Sequence, residues 1–251
     1  MSGGQRPFTV AAEPGDVLGF RPLYRQVREL LVRRIAEGLW APGQPIPSEP
    51  EIASELGVSQ GTVRKALDEM AGENLVVRRQ GRGTYVARHD DARILFQFFR
   101  IVPDSGGKEF PDSRLTEVAG EGADEEAAAA LGVAPGAAVV RLERVRSLAG
   151  EVCIAERIVV PAALFPGIAE RELPNNLYEL YAAQFGVVVG RASEKLRAVA
   201  AGAREAEFLG VAAGTPLLRV DRTAFSIDGK LAEWRISWCR TERVHYLSDL
   251  R

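Results

Sequence analysis

SEPEIASELGVSQGTVRKALDEMAGENLVVRRQGRGTYV, Ser48 to Val86, reads as a helix, a tight turn, a second helix and a two-stranded wing. Ser48 is a good N-cap residue, and Glu51 three positions on completes a capping box. Ile52, Ala53 and Leu56 give the short first helix an apolar face, and Gly57 offers the left-handed residue that ends it. Ser59 caps the second helix, in which Val63, Ala66, Leu67 and Met70 recur at the spacing of a buried stripe. The opposite face carries Gln60, Thr62, Arg64, Lys65 and Asp68. Two short helices joined by so brief a turn suit a helix-turn-helix, whose second helix presents its N-terminal residues to the DNA major groove. Leu75, Val76 and Val77 then begin a strand, Gln80-Gly81-Arg82-Gly83 makes a glycine-rich turn, and Thr84, Tyr85 and Val86 return. A basic hairpin tip beside a recognition helix reaches phosphate or the minor groove. The plainer alternative is a solvated turn on some other small α/β domain.

Upstream, Tyr24, Val27, Leu30, Leu31 and Ile35 form an apolar stripe, which predicts a helix from Leu23 to Glu37 stopped by Gly38 and Pro42-Gly43. Its place is behind the helix-turn-helix, closing a small core. Arg25, Arg28, Arg33 and Arg34 on this helix either meet the DNA backbone or form an ordinary solvated face. Residues 1–19 lack periodicity and read as a loose arm. A DNA-binding domain is therefore expected at 20–88, a linker at 89–93 and a second domain at 94–251.

The charge distribution agrees with this division. The whole chain of 251 residues has a formal net charge of −2, which does not advertise a nucleic-acid binder. Phe20 to Arg88, however, holds 11 Lys/Arg against 8 Asp/Glu, a net +3, so the remainder carries −5. A basic head on an acidic body fits a protein that touches DNA at one end. Cys153 and Cys239 are too few for a disulfide framework or a zinc site, and His89 and His245 complete no metal-ligand spacing, so free buried thiols and no cofactor are expected. Neither a signal peptide nor an apolar run of about 20 residues is present, which predicts a cytoplasmic protein with no membrane partner.

Residues 23–86 resemble the winged-helix domain of the GntR family of bacterial transcription regulators. The matching text is LYRQV, PGQPIPSEPEIA, GVSQGTVRKAL and RQGRGTYV, without a gap. The resemblance implies a DNA surface made of Ser48, Glu49, Ser59, Gln60, Thr62, Arg64 and Lys65, with Gln80, Gly81 and Arg82 on the wing. Pro50 and Gln60 stand where the family often has Arg, so the operator sequence does not carry over from relatives.

After Arg88, Ile94 to Val102 is apolar and aromatic enough for a strand, and Pro103 to Pro111 reads as a loop. Beyond it the chain duplicates itself. LGVAPGAAVVRLER (131–144) aligns without gaps to LGVAAGTPLLRVDR (209–222), with seven of fourteen positions identical. Each copy follows an alanine-rich helix (Asp124 to Leu131, Ala203 to Leu209) and leads into a strand, a glycine turn and a second strand. Ala155-Glu156-Arg157 corresponds to Ala232-Glu233-Trp234-Arg235. A helix-plus-hairpin unit used twice predicts one antiparallel sheet with helices packed on one face. Asn176 to Phe185 reads as a further helix and Val187 to Val199 as a strand. The fold class is α+β.

Strand alternation places Arg144 and Arg146 on one face of their strand, and Glu156 in an otherwise apolar row of the partner strand. An unpaired carboxylate there is costly, so a nearby arginine or a ligand group is expected. Two arginines two residues apart suit a phosphate or carboxylate, which guanidinium groups bind bidentately. The competing reading is an Arg144–Glu156 ion pair that braces the hairpin, repeated in the second copy as Arg222 and Glu233.

This C-terminal region, about 94–245, resembles the UTRA ligand-binding domain of the HutC subfamily, through Arg144 and Arg146, Ala155-Glu156-Arg157 leading to Pro161, Leu177-Tyr178 and the second LGV block. The resemblance implies a chorismate-lyase-like antiparallel sheet with a small-molecule pocket over it, lined by Arg144, Arg146, Glu156, Asn176, Tyr178, Glu233 and Cys239. Asn176 stands where Ser is frequent and Cys239 where an aromatic hydroxyl is frequent, so the ligand does not carry over. Asn176 and Tyr178 also fall at a helix N-terminus, a natural anion site. The expected function is a homodimeric transcription regulator, a repressor of a palindromic double-stranded DNA operator, controlled by a small anionic effector. A lyase-like enzyme is one alternative, although no Ser/His/Asp set, cofactor loop or metal cluster is visible. A DNA-binding protein without effector is another.

Overall fold

The structure, a computed structural model, describes residues 22–87, 98–106 and 110–248. The expected arm at 1–19 and linker at 89–93 lie outside the described residues. The N-terminal part comprises α1 (Leu23–Ala36), α2 (Glu49–Leu56), α3 (Gln60–Gly72), β1 (Val76–Arg79) and β2 (Gly83–Val86). Ser48 donates its backbone N–H (2.8 Å) and its hydroxyl (2.7 Å) to the Glu51 carboxylate at the start of α2. Gly57, at φ 63°, turns the chain out of α2, and the Ser59 hydroxyl accepts the Thr62 N–H to open α3. The reversal between α2 and α3 is thus fixed by local bonds before any core forms. Leu31 of α1, Ile52 of α2 and Val63, Leu67 and Met70 of α3 are fully buried against one another. Each such side chain contributes about 1.5–3 kcal/mol of hydrophobic stabilisation. In β1 and β2, Arg79 pairs with Gly83 across the wing tip, and Gly81 and Gly83 take positive φ there.

The C-terminal part is built on a six-stranded antiparallel sheet. Its strands are β4 (Asp112–Gly122), β5 (Ala138–Leu148), β6 (Glu151–Pro161), β7 (Val189–Ala200), β8 (Pro216–Ser226) and β9 (Leu231–Cys239), in the order β4-β5-β6-β9-β8-β7. The duplication explains the order. Each half is an outer strand, a short helix and a hairpin: β4, α4 (Glu125–Leu131), β5, β6, then β7, α6 (Ala203–Leu209), β8, β9. The repeated unit is therefore one strand longer than the sequence alignment indicates. The halves meet at the β6–β9 seam, where Glu156 pairs with Ser237 and Ile158 with Arg235.

One expectation is corrected here. The two repeat helices do share a face, with α4 over Val139, Val159 and Trp234 and α6 over Ala155 and Leu217. The helix between the copies, α5 (Leu177–Phe185), covers the other face and packs on Val140, Leu142, Ile158 and Val160. Helices thus lie on both faces, because β5 and β6 are apolar on both sides and one layer leaves half of that surface wet. Of the strand expected over Ile94–Val102, residues 94–97 lie outside the described residues, and the described part contributes to β3 (Ile101–Pro103), paired with β10 (Val244–Tyr246). The two parts of the chain touch. Ile227, just past β8, packs against the winged-helix core, and Leu75 at the end of that core lies close to Gly190 of β7.

Candidate functional site

A cavity opens between the α5 face of the sheet and the N-terminus of α5, with the segment at Phe98–Ile101 forming another wall. The cavity volume is about 50 Å³. Alternate positions of β5 send Arg144 and Arg146 into it, and the register places Glu156 directly opposite Arg144. Arg144 Nε donates to Glu156 Oε2 at 2.6 Å, and its Nη1 to the Asn175 carbonyl at 3.0 Å. Ser237 donates to the other Glu156 oxygen at 3.0 Å. Burial alone raises the Glu156 pKa, but Arg144, Arg235 and Arg146 outweigh it and hold the carboxyl well below the usual range.

Arg146 is in a different position. It is 2% exposed, and its guanidinium lies 4.8 and 4.9 Å from the ring centres of Phe99 and Phe110, which meet edge to face beside it at 5.7 Å. Its hydrogen bonds go to neutral groups, Ser113 Oγ at 3.0 Å and Asn175 Oδ1 at 3.4 Å, and its nearest carboxylate oxygen, on Glu156, is 3.8 Å away. Burial, and next the charge of Arg144, push its pKa well below that of an ordinary arginine, against the partial pull of Glu156. An arginine keeps its proton at neutral pH, so this environment is one in which a further anion is stabilising.

The second repeat contributes Arg222 and Arg235, and it departs from the expected pairing. Arg222 does not pair with Glu233; it binds Glu194 of β7, at 2.7 Å from Nε, and donates Nη2 to the Phe98 carbonyl. Glu233 instead takes both Arg235 donors, at 2.9 and 2.8 Å, and the hydroxyls of Tyr178 and Tyr181 at 3.1 and 3.0 Å. The reason is register: Arg222 stands opposite Arg235 rather than Glu233, which faces Ala224, and Arg235, two residues along β9 on the same face, takes the Glu233 carboxylate. Five arginines (Arg100, Arg144, Arg146, Arg222, Arg235) thus line the cavity against two carboxylates (Glu156, Glu194), with Glu233 behind Tyr178, so positive charge is in excess around it.

Of the residues the sequence pointed to, Arg144, Arg146, Glu156, Asn176 and Tyr178 line the cavity. Asn176 also caps α5, its side chain accepting the Glu179 N–H. Glu233 and Cys239 do not line it. Glu233 is fully buried behind Tyr178, and Cys239 is packed with Phe99, Ile101 and Val220 beneath the cavity floor. Asn175, Ser113 and the Phe99–Phe110 pair were not marked by the sequence. Asn175 ties Arg144 and Arg146 to the Pro111 carbonyl and to Ser113, contacts 62 to 64 residues apart in the chain for which no local pattern exists.

On the winged helix, Gln60, Arg64 and Lys65 lie exposed along α3, and Gln80, Gly81 and Arg82 form the exposed wing tip. Thr62 is half-buried because its hydroxyl bonds Ser59 at 2.8 Å. Ser48 and Ser59 serve as caps, and Glu49 bridges Arg64 (2.9 Å) and Arg78 (3.3 Å), while Arg78 also reaches Asp68 at 2.7 Å. These exposed pairs add little stability, but they join α2, α3 and β1 into one surface. Lys65 lies 4.1 Å from the Tyr24 ring centre, which ties α3 to α1.

Comparison with known proteins places this geometry. Residues 106–245, more than half of the chain, match the UTRA domain, and residues 23–86 match the gntR family of bacterial regulatory proteins. The chain belongs to the GntR family. Its combination of winged helix and UTRA domain is that of the HutC-type members. The GntR-family chain is 32% identical to the HTH-type transcriptional repressor NagR of Bacillus subtilis, over 91% of its own length and 96% of that protein. The ligand-binding domain of a GntR-family regulator from Bordetella bronchiseptica superposes with a TM-score of 0.57 at 34% identity, covering 61% of this chain and 98% of that one. PhnF of Mycobacterium smegmatis superposes with a TM-score of 0.53 at 30% identity, covering 90% and 99%. The GntR-family relatives are DNA-binding transcription regulators that respond to metabolites, not enzymes, and this chain is one of them. Among the described residues no group of three or more His, Cys, Asp or Glu could hold a metal ion, and no helix is long and apolar enough to cross a membrane.

Proposed function

We propose that this GntR-family member is a homodimeric repressor of a palindromic operator, acting in the cytoplasm, and that a small anionic metabolite held in the cavity controls it. The observation that carries the anionic ligand is Arg146: a buried cation against two aromatic rings, hydrogen-bonded to neutral partners, in a cavity whose lining has more arginines than carboxylates. The N-terminus of α5, at Asn176 and Leu177, opens onto the same cavity and adds its backbone dipole. The excess positive charge favours a ligand that places a negative group at the arginines, with its remaining polar groups reaching Glu156 and Ser237.

On the DNA side, we assign base and backbone contacts to Gln60, Arg64 and Lys65 of α3 and to Gly81 and Arg82 of the wing. One recognition helix covers too few base pairs for gene-level selectivity, so two half-sites and a two-fold dimer, formed through the C-terminal domain, follow. Sedimentation is expected to show a dimer at micromolar concentration; a monomer with and without operator defeats this part. Arg64→Ala is expected to weaken operator binding about 5- to 150-fold. Loss confined to one base position indicates base readout, and a uniform loss with a salt slope smaller by about one indicates phosphate contact. An unchanged gel-shift titration removes Arg64 from the interface. The effector reading is tested by operator affinity with and without fractions of a cell metabolite extract: acidic fractions should release the DNA, and release by neutral or basic fractions alone overturns the anionic assignment.

A further inference from the structure

We propose that the edge strands β7 and β8 transmit the state of the effector cavity to the winged helix, with the Arg222–Glu194 pair as the sensing element and the Leu75–Gly190–Ile227 contact as the output. The proposal rests on the reading of the cavity as the effector site. Arg222 and Glu194 stand in a shared wall: together with Phe98, Arg100 and Tyr246 they face both the cavity and the cleft between the two parts of the chain. Across that cleft stand Arg28, Glu73 and Leu75 of the winged helix. The Arg222–Glu194 pair is tied into the wall on both sides. Arg222 binds Glu194 and the Phe98 carbonyl, and the second Glu194 oxygen accepts the Tyr246 hydroxyl. An anion that draws Arg222 towards Arg144 and Arg146 must therefore loosen Glu194, Tyr246 and the Phe98 segment at once.

The same two strands reach the DNA-binding part a few residues further on. Glu194 precedes Lys195 on β7 and follows Gly190 by four positions; Ile227 follows Arg222 by five. Ile227 packs against the winged-helix core, and its N–H donates to the Val188 carbonyl at 2.8 Å. A Cβ at Gly190 would stand 2.7 Å from Ile227 Cγ2 and 3.4 Å from Leu75 Cδ2. Glycine is required here by close approach, since its φ is not positive. Between the two ends β7 and β8 are paired at Ser193–Thr223, Ala192–Ala224 and Arg191–Phe225, and the register shift at Gly190 joins this ladder to Val189–Ser226. A ligand shifts DNA affinity only through unequal binding to two states, and this ladder joins the two places where such states would differ.

The test needs no effector. An operator fragment is selected from a random DNA pool, and its affinity is measured by fluorescence anisotropy for the full chain, Glu194→Gln, Ile227→Ala and the double variant. Glu194→Gln, which weakens the hold on Arg222, should change operator affinity at least about fivefold, within the usual range of allosteric coupling. In the Ile227→Ala background the same substitution should change it less than about twofold, a non-additive cycle. An equal change in both backgrounds, or no effect of Glu194→Gln alone, overturns the proposal. If Ile227→Ala loses its native circular dichroism, Gly190→Ala supplies the second arm of the cycle, with the same two outcomes. Failure of the effector reading is seen separately, as absence of any response to metabolite fractions in the wild type, and leaves the result of the cycle standing.

Discussion

Arg146→Met is expected to leave the protein as stable as before, or about 1–4 kcal/mol more stable, while removing its response to effector. A buried ionic group replaced by an apolar side chain of similar size is often neutral or stabilising, because the desolvation cost of the charge goes with it. Arg146 is 2% exposed, lies against Phe99 and Phe110, and hydrogen-bonds neutral groups, so methionine fills its slot and strands no carboxylate. Glu156 keeps Arg144 at 2.6 Å and Ser237 at 3.0 Å. Loss of a charged hydrogen-bonding partner should weaken effector binding about 10- to 100-fold. Urea unfolding and operator release by an active metabolite fraction measure the two quantities on one sample. A variant that is destabilised yet still responds identifies Arg146 as a brace and removes it from the effector site.

Glu233→Leu is expected to cost about 3–5 kcal/mol of stability, since breaking a buried ion pair leaves an uncompensated charge. Glu233 is fully buried and receives four hydrogen bonds, two from Arg235 and one each from Tyr178 and Tyr181. Without it Arg235 retains only Glu156 at 3.7 Å, and two buried hydroxyls lose their acceptor. Glu233→Gln keeps an acceptor for the hydroxyls and should lose less. A urea midpoint unchanged in Glu233→Leu would contradict the network. The same substitution distinguishes Glu233 from the cavity residues, because it sits a layer behind them.

The winged helix was legible from the sequence because its determinants are local. Ser48 with Glu51, Gly57, and Ser59 with Thr62 each act within three or four residues, and the stripe of Val63, Ala66, Leu67 and Met70 fixes which side of α3 turns inward. The duplicated hairpins were legible as repeated text, and alternation placed Arg144 and Arg146 together. Repetition misled where the copies diverged. Arg235 stands opposite Arg222, the place that Glu156 holds opposite Arg144 in the first hairpin, and the glutamate of the second copy, Glu233, lies two residues along and pairs with Arg235. The side of the sheet that α5 covers, and the partners of Arg146, come from Phe99, Phe110, Ser113 and Asn175, which meet only in the folded chain.

The seam between the halves also orders the folding of the domain. Within each half the hairpins β5–β6 and β8–β9 close over two to four residues, so these pairings are short-range and form early. Glu156 and Ser237 across the seam are 81 residues apart, and their pairing waits for both halves. The contacts from Arg235 and Ser237 to Glu156 cross that seam. The Glu156 and Arg235 charges therefore come together only at the last closure, and the cavity is completed late, as the halves dock. Substitutions at Glu156 or Arg235 then act chiefly on the rate of unfolding, whereas changes within a hairpin act on the rate at which the halves form.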